Sequence, residues 1–256
     1  MTHPFLSGSR RPRVFAHRGL VVSGRDQTMV WENTAAAFAA AHAAGAEYIE
    51  TDCRVTADGD VVLFHDETLQ RVAGDPRAVS SVRTRELERL FSGHGGLLTV
   101  ADALDAFPDT RFNIDVKTAE ASMPLGAVLA PHADRVLVTS FSDRSRLAAL
   151  RATVDAGAEI RPATSGGRSV IARLRALSAA RLSPARVLRD VDAVQIPEAH
   201  RGIRLFTPSL LRAARRNGVE VHVWTVNDPN DMMRLVADGA DGIVTDRADV
   251  AVDALS

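Results

Sequence analysis

Tyr48-Ile49-Glu50-Thr51-Asp52-Cys53-Arg54-Val55, Thr56-Ala57-Asp58-Gly59-Asp60, Val61-Val62-Leu63-Phe64-His65: two strand-like runs flank a turn of five residues. That connection is far too short for a parallel crossover, and Asp58-Gly59 is a strong tight-turn signal, so the runs are expected to pair as an antiparallel hairpin. With Asp58 and Gly59 as the two turn residues, Ala57 faces Asp60, and counting back sets Asp52 opposite His65. Glu50, Asp52 and His65 then share one face of the hairpin.

The hairpin also settles the strand count. Short β-branched runs occur at residues 13–17, 48–55, 61–65, 112–117, 136–140, 159–163, 193–196, 219–226 and 242–245. Alanine- and leucine-rich stretches of helical period lie between most of them, at 34–44, 144–152, 169–180, 208–217 and 229–238. Such alternation implies a parallel sheet with crossover helices. Setting aside 61–65 as the antiparallel hairpin arm leaves the strand count of a (β/α)8 TIM barrel, and a single domain over residues 1–256 suits that fold.

Composition narrows the function classes. Hydrophobic residues make up 46% and charged residues 25%, ordinary values for a globular protein. A net charge of −1 gives no electrostatic reason to expect nucleic acid or an anionic membrane as partner. Cys53 is the only cysteine, so no internal disulfide can form. No apolar run approaches the ~18 residues of a membrane span, and Arg10, Arg11 and Arg13 have no apolar core behind them. A cytoplasmic enzyme acting on a small molecule is the expectation.

Chemistry concentrates in the first half of the chain. His17-Arg18-Gly19, Trp31-Glu32-Asn33-Thr34, Glu50-Thr51-Asp52 and His65-Asp66 sit at the edges of strand-like runs. Two histidines can pass protons near neutral pH, a Glu-x-Asp pair can hold a hard divalent cation, and Arg18 offers a fork to an oxyanion. Of 31 basic residues only Lys117 is a lysine. It shares one face of a strand with Asn113 and Asp115, and its compact ammonium can act as a point charge beside a phosphate oxygen. His17, His65 and Lys117 all fall at strand ends, where barrel active sites form.

In order and type these motifs resemble the glycerophosphodiester phosphodiesterase family. Val223-Trp224-Thr225-Val226-Asn227 resembles the signature of that family's eighth strand, and Asp241-Gly242-Ile243-Val244-Thr245-Asp246 its closing segment. The resemblance runs from about Arg13 to Asp249, nearly the whole chain. It implies a phosphoric diester hydrolase of lipid and glycerol metabolism that uses one divalent metal ion, Mg2+ or Ca2+. The products are glycerol 3-phosphate and an alcohol, formed through a cyclic phosphate. Carried onto this sequence, it makes His17 and His65 the catalytic acid–base pair. Arg18 and Lys117 become phosphate-binding, Trp224 a wall against the glycerol moiety, and Glu50, Asp52 and Asp115 metal ligands. Glu32 becomes a further ligand or a partner of Arg18 or His17.

Three departures stand out. Trp31 replaces the usual proline before Glu-Asn-Thr, Asp115 stands where a glutamate is common, and the loop from Leu20 to Val30 is long. The segment from Glu67 to Leu98, where the family carries a small insertion, is short. An alternative in the same fold is a lysophospholipase D-like or sphingomyelinase D-like enzyme, which needs an apolar rim such as Val21, Val22, Met29, Val30 and Trp31 could begin. A catalytically silent, phosphodiester-binding barrel would have lost a histidine or the Glu-x-Asp pair, and neither is lost.

Overall fold

Strands form where the β-branched runs stand: β1 (Arg13–His17), β2 (Tyr48–Val55), β3 (Val61–Leu63), β4 (Arg111–Val116), β5 (Val136–Thr139), β6 (Ala163–Thr164), β7 (Ala193–Ile196), β8 (Ala199–His200), β9 (Ile203–Arg204), β10 (Glu220–Val223) and β11 (Gly242–Thr245). These elements belong to a computed structural model that describes residues 2–21 and 29–256. Most of the loop from Leu20 to Val30 therefore lies outside the described residues. Eight strands form a parallel sheet in the order β6-β5-β4-β2-β1-β11-β10-β7. The curl brings β6 back to β7, where a single bridge joins Ser165 to Ala193. The result is a nearly closed (β/α)8 barrel, as the alternating pattern requires.

Among the described residues the β6–β7 seam has only two backbone hydrogen bonds, from the Asp192 N–H to the Thr164 carbonyl at 2.9 Å and from the Gly166 N–H to the Ala193 carbonyl at 3.0 Å. Side chains reinforce it. Arg161 donates to both Asp192 carboxylate oxygens at 2.6 and 3.1 Å, and the backbone N–H of Thr164 donates to Asp192 at 2.8 Å. The expected strand at 159–163 is displaced to Ala163–Thr164 because Pro162 has no N–H to give to a ladder.

The β2–β3 hairpin forms, but its register differs by one from the expectation. Cys53 pairs with Leu63 and Val55 with Val61, so Thr56 stands opposite Asp60 and Asp52 opposite Phe64, not His65. The turn holds three residues rather than two. Gly59 takes φ +95°, the Thr56 carbonyl accepts from the Gly59 N–H, and Thr56 Oγ1 accepts from the Asp60 N–H. That is a type I turn closed by a left-handed glycine, the usual three-residue hairpin. β3 stops at Leu63, and His65 reaches the barrel mouth from beyond the strand.

The predicted helices appear within a few residues of their expected ends. Ser122–Leu129 reads poorly as a helix because it contains Pro124 and Gly126. The glycine is needed where this helix crosses Asp143–Asp155: a Cβ on Gly126 would lie 2.5 Å from Ala152. The insertion carries Gln70–Ala73 and Thr84–Phe91 and encloses its own small core of Val62, Phe64, Leu69, Val79, Val82, Leu87 and Phe91. No helix among the described residues is long and apolar enough to cross a membrane.

The interior at the N-terminal end of the barrel is stoppered by the 3-10 turn Pro4–Leu6, whose Phe5 packs edge-on against Tyr48. Beside it Arg13 is buried at 1% exposure. Its guanidinium donates to both Glu220 oxygens at 2.7 and 2.8 Å, to Tyr48 Oη at 2.7 Å, and to the Leu6 carbonyl. Burial works against the Glu220 carboxylate, but Arg13 and His222 outweigh it and bring its pKa from 4.5 to about 2. The pair thus contributes stability that is full above about pH 4.5 and is lost as the pH falls toward 2. Glu220→Gln leaves Arg13 buried without its counter-ion, so urea denaturation at neutral pH should show a loss of about 3–5 kcal/mol. At about pH 3 the gap between the variant and the parent should narrow, since Glu220 is then losing its charge in the unfolded chain.

Candidate active site

At the C-terminal end of β1 the chain turns sharply. Arg18 has φ +58° and Gly19 φ +87°, and a Cβ on Gly19 would lie 2.8 Å from the Ala37 backbone. This geometry explains the glycine of His17-Arg18-Gly19. The turn swings Arg18 over the barrel mouth, with Nη1 2.8 Å from Glu32 and Nε 3.1 Å from Asp52. Asn33, also at positive φ (57°), accepts from Thr51 Oγ1 at 2.7 Å and reaches Asp52 at 3.3 Å. Thr34 caps the helix Ala35–Ala43, accepting from the Ala37 N–H.

Parallel register does the rest of the gathering. His17 neighbours Glu50, Glu50 neighbours Asn113, and Asp52 neighbours Asp115. Two buried carboxylates are thus side by side, and the chain's one lysine stands between them. Lys117 Nζ lies 2.7 Å from Asp52 and 2.5 Å from Asp115. Glu50 has no such cation; its Oε2 is 3.8 Å from His17 Nε2. Burial, then the charge of Asp52, raises the Glu50 pKa to about 8. Burial also raises that of Asp115 against the pull of Lys117, whereas Lys117 and Arg18 overcome burial at Asp52 and lower its value. Glu50 Oε2, Asn113 Oδ1 and Asp115 Oδ1 are buried without a hydrogen-bond partner among the described residues. Among those residues no three Asp, Glu, His or Cys side chains converge as a preformed metal cage.

Both histidines are tied through Nδ1 to a carboxylate: His17 to Asp246 at 2.6 Å, His65 to Asp66 at 2.7 Å. Asn227 orients Asp246, donating to its Oδ2 at 2.8 Å while accepting from its backbone N–H. Burial disfavours the His17 cation, but Asp246 and Glu50 outweigh it and raise its pKa. Asp66 is joined by Arg71, which also pairs with Glu32. Glu32 thus pairs with Arg18 and Arg71, as the partner role among its two expected roles requires.

His17, Arg18, Glu50, Asp52, His65, Asp115, Lys117 and Trp224 all line one cavity of about 200 Å³ at the barrel mouth. Its other wall is formed by Ser140, Phe141, Gly166, Gly167, Arg168 and Gln195. Trp224 meets Phe141 edge-on at 6.2 Å. Trp31 is not a rim residue: its ring stacks on His94 at 3.9 Å and meets Phe91 edge-on at 5.0 Å, in the insertion's core. Sequence reasoning quoted Asp66, Asn227 and Asp246 only as letters of motifs. Nothing in the pattern marked Arg71, Gln195 or Arg168, whose roles depend on strands far apart in the chain.

Residues 17–250 match the Glycerophosphoryl diester phosphodiesterase family. A protein of Mycobacterium tuberculosis named probable glycerophosphodiester phosphodiesterase 2 is 39% identical over 229 residues, covering 87% of this chain and 84% of its own length. Among solved structures, a glycerophosphodiester phosphodiesterase of Thermotoga maritima superposes with a TM-score of 0.71 at 24% identity, covering 94% of this chain and 96% of that one. An Oleispira antarctica phosphodiesterase in complex with the product sn-glycerol-3-phosphate gives 0.68 at 22% identity, covering 95% and 96% of the two chains. A barrel of this kind, with these residues gathered at its mouth and a family match over most of its length, places the chain in the glycerophosphoryl diester phosphodiesterase family, among the phosphoric diester hydrolases.

Proposed function

We propose that this chain, acting as one domain, hydrolyses glycerophosphodiesters to glycerol 3-phosphate and an alcohol, with His17 and His65 as the proton-transfer pair and one divalent cation, Mg2+ or Ca2+. The observation that carries the reading is the two imidazoles on one cavity, each tied to a carboxylate through Nδ1. That tie leaves Nε2 of each ring to exchange protons with a substrate. Cleaving a phosphodiester needs one proton taken from the attacking hydroxyl and one given to the leaving oxygen, so two such rings around one phosphate suit it. The 39% identical relative and the glycerol-3-phosphate complex of the Oleispira enzyme support the substrate class.

In this reading Arg18 and Lys117 bind the phosphate oxygens and Trp224 lies against the glycerol arm. A hydroxyl of that arm attacks phosphorus as one imidazole takes its proton. The bond from phosphorus to the alcohol oxygen breaks as the other imidazole protonates that oxygen. Water then opens the resulting cyclic phosphate, the imidazoles exchanging roles. The donors suit a hard cation, since Glu50 and Asp115 each have a buried oxygen without a partner and Mg2+ and Ca2+ take carboxylate oxygens. Glu50, Asp52 and Asp115 would hold the ion, with Glu32 steadying Arg18; when bound it supplies positive charge that offsets the phosphate and acidifies the attacking hydroxyl.

A coupled assay should detect glycerol 3-phosphate release from glycerophosphodiesters, abolished by a chelator and restored by Mg2+ or Ca2+. Release from none of them, with turnover of a lysophospholipid instead, would transfer the reading to the lysophospholipase D-like alternative. The pH–rate profile should be bell-shaped, and His17→Ala and His65→Ala should each lower kcat by about 100-fold or more and erase one limb. Loss of the base removes the fall at low pH and loss of the acid the fall at high pH; profiles unchanged in both variants overturn the assignment. Asp246→Asn should lower kcat by roughly 100-fold with little change in KM, because it misorients His17 without touching the phosphate contacts.

A further inference from the structure

Arg168 lines the same cavity as the two histidines and the carboxylates. Among the described residues no carboxylate lies within ion-pair distance of its guanidinium, which instead lies over the Phe141 ring at 4.7 Å. The nearby carboxylate of Asp143 is already engaged. It accepts from the N–H groups of Gly167 and Ser169 at 3.0 and 3.2 Å and pairs with Arg146 at 3.0 Å. Arg168 is also the first residue of the helix Arg168–Ala179, which has no acidic residue in its first turn. The Asp143 carboxylate caps that helix end through the Gly167 and Ser169 N–H groups. Asp143 is thus committed to the dipole and to Arg146, and leaves the Arg168 guanidinium without an ion-pair partner among the described residues.

The same Phe141 ring has a second cation near it, since Lys117 Nζ lies 5.7 Å from its centroid. Two positive charges on one ring are at most about 10 Å apart, within a Debye length at ordinary ionic strength. Lys117 is balanced by Asp52 and Asp115, whereas no carboxylate among the described residues pairs with Arg168. The face of Phe141 is therefore already met by protein cations, and the field on this wall favours anions.

We propose that Arg168 is a specificity-determining residue that reads the alcohol arm of the substrate, favouring glycerophosphodiesters whose alcohol carries an anionic group such as a carboxylate. This rests on the reading above that glycerophosphodiesters are hydrolysed at this site. Phosphate lies at the floor with Arg18 and Lys117 in that reading, so the exposed guanidinium over Phe141 meets the arm that extends toward solvent.

Glycerophosphoserine and glycerophosphoethanolamine differ only by a carboxylate, which makes them a direct test. The ratio of their kcat/KM values, serine over ethanolamine, should fall about fivefold in Arg168→Gln, the scale of one partly exposed charge pair, chiefly through KM for the serine substrate. Arg168→Lys should restore part of the ratio, and raising the salt should compress it in the parent but not in Arg168→Gln. A ratio equal in the parent and Arg168→Gln, with both substrates turned over, overturns the role of Arg168 and leaves the parent reading standing. Turnover of neither substrate by the unaltered enzyme overturns both.

Discussion

Glu50, Asp52 and Asp115 share the inside of a barrel where water cannot screen them, brought there by the register of β1, β2 and β4. Two buried like charges on adjacent strands cannot both stay ionised without a cation nearby. Lys117 meets that demand for Asp52 and Asp115, Arg18 adds to it at Asp52, and Glu50 remains the member without an assigned cation. The rest of the mouth follows from this constraint. Arg18 must cross from β1, so the chain needs a left-handed turn and a glycine beside the Ala35–Ala43 helix. Glu32 and Arg71 then steady Arg18, and Asp66 ties Arg71 to His65, so the insertion and the barrel are joined through one network of charge.

The layered nature of this network decides what could be read from sequence. Strand positions and the eight-fold alternation were legible because they depend on local periodicity, and the resemblance added the end-of-strand residues. The hairpin register was not legible to one residue. A two-residue and a three-residue turn use the same Asp58-Gly59 letters, and the choice is made by the Thr56 hydroxyl, which holds both Asp60 and Asp58. The error flips Asp52 from His65 to Phe64 as its cross-strand neighbour, yet His65 still reaches the cavity because β3 ends early.

Other expectations turned on partners distant in the chain. Glu32 was open to a ligand or a partner role; its pairing with Arg18 and Arg71 could not be read in advance, since Arg71 lies in an insertion that sequence alone showed only to be short. In sequence Trp31 reads as a replacement for proline and as one residue of an apolar rim. Its ring is instead a wedge between Phe91 and His94, which gives the segment before Glu32 a packed support in place of the rigidity of proline. Arg168 left no trace in any pattern, because an unpaired charge can be recognised only once its neighbours are known.

The side-chain closure between β6 and β7 has a consequence for how such a barrel can change. Elsewhere the strands are joined by backbone ladders, which no single substitution can remove. At this seam only two backbone hydrogen bonds cross among the described residues, and Arg161 and Asp192 supply much of the rest, so it is the union most open to revision one codon at a time. Gly166 and Gly167 follow that seam directly and form the wall that carries Arg168. Heritable variation in the width of this barrel therefore has its easiest entry beside the wall that meets the variable part of a substrate, while the charged floor lies between strands whose union side-chain change does not reach.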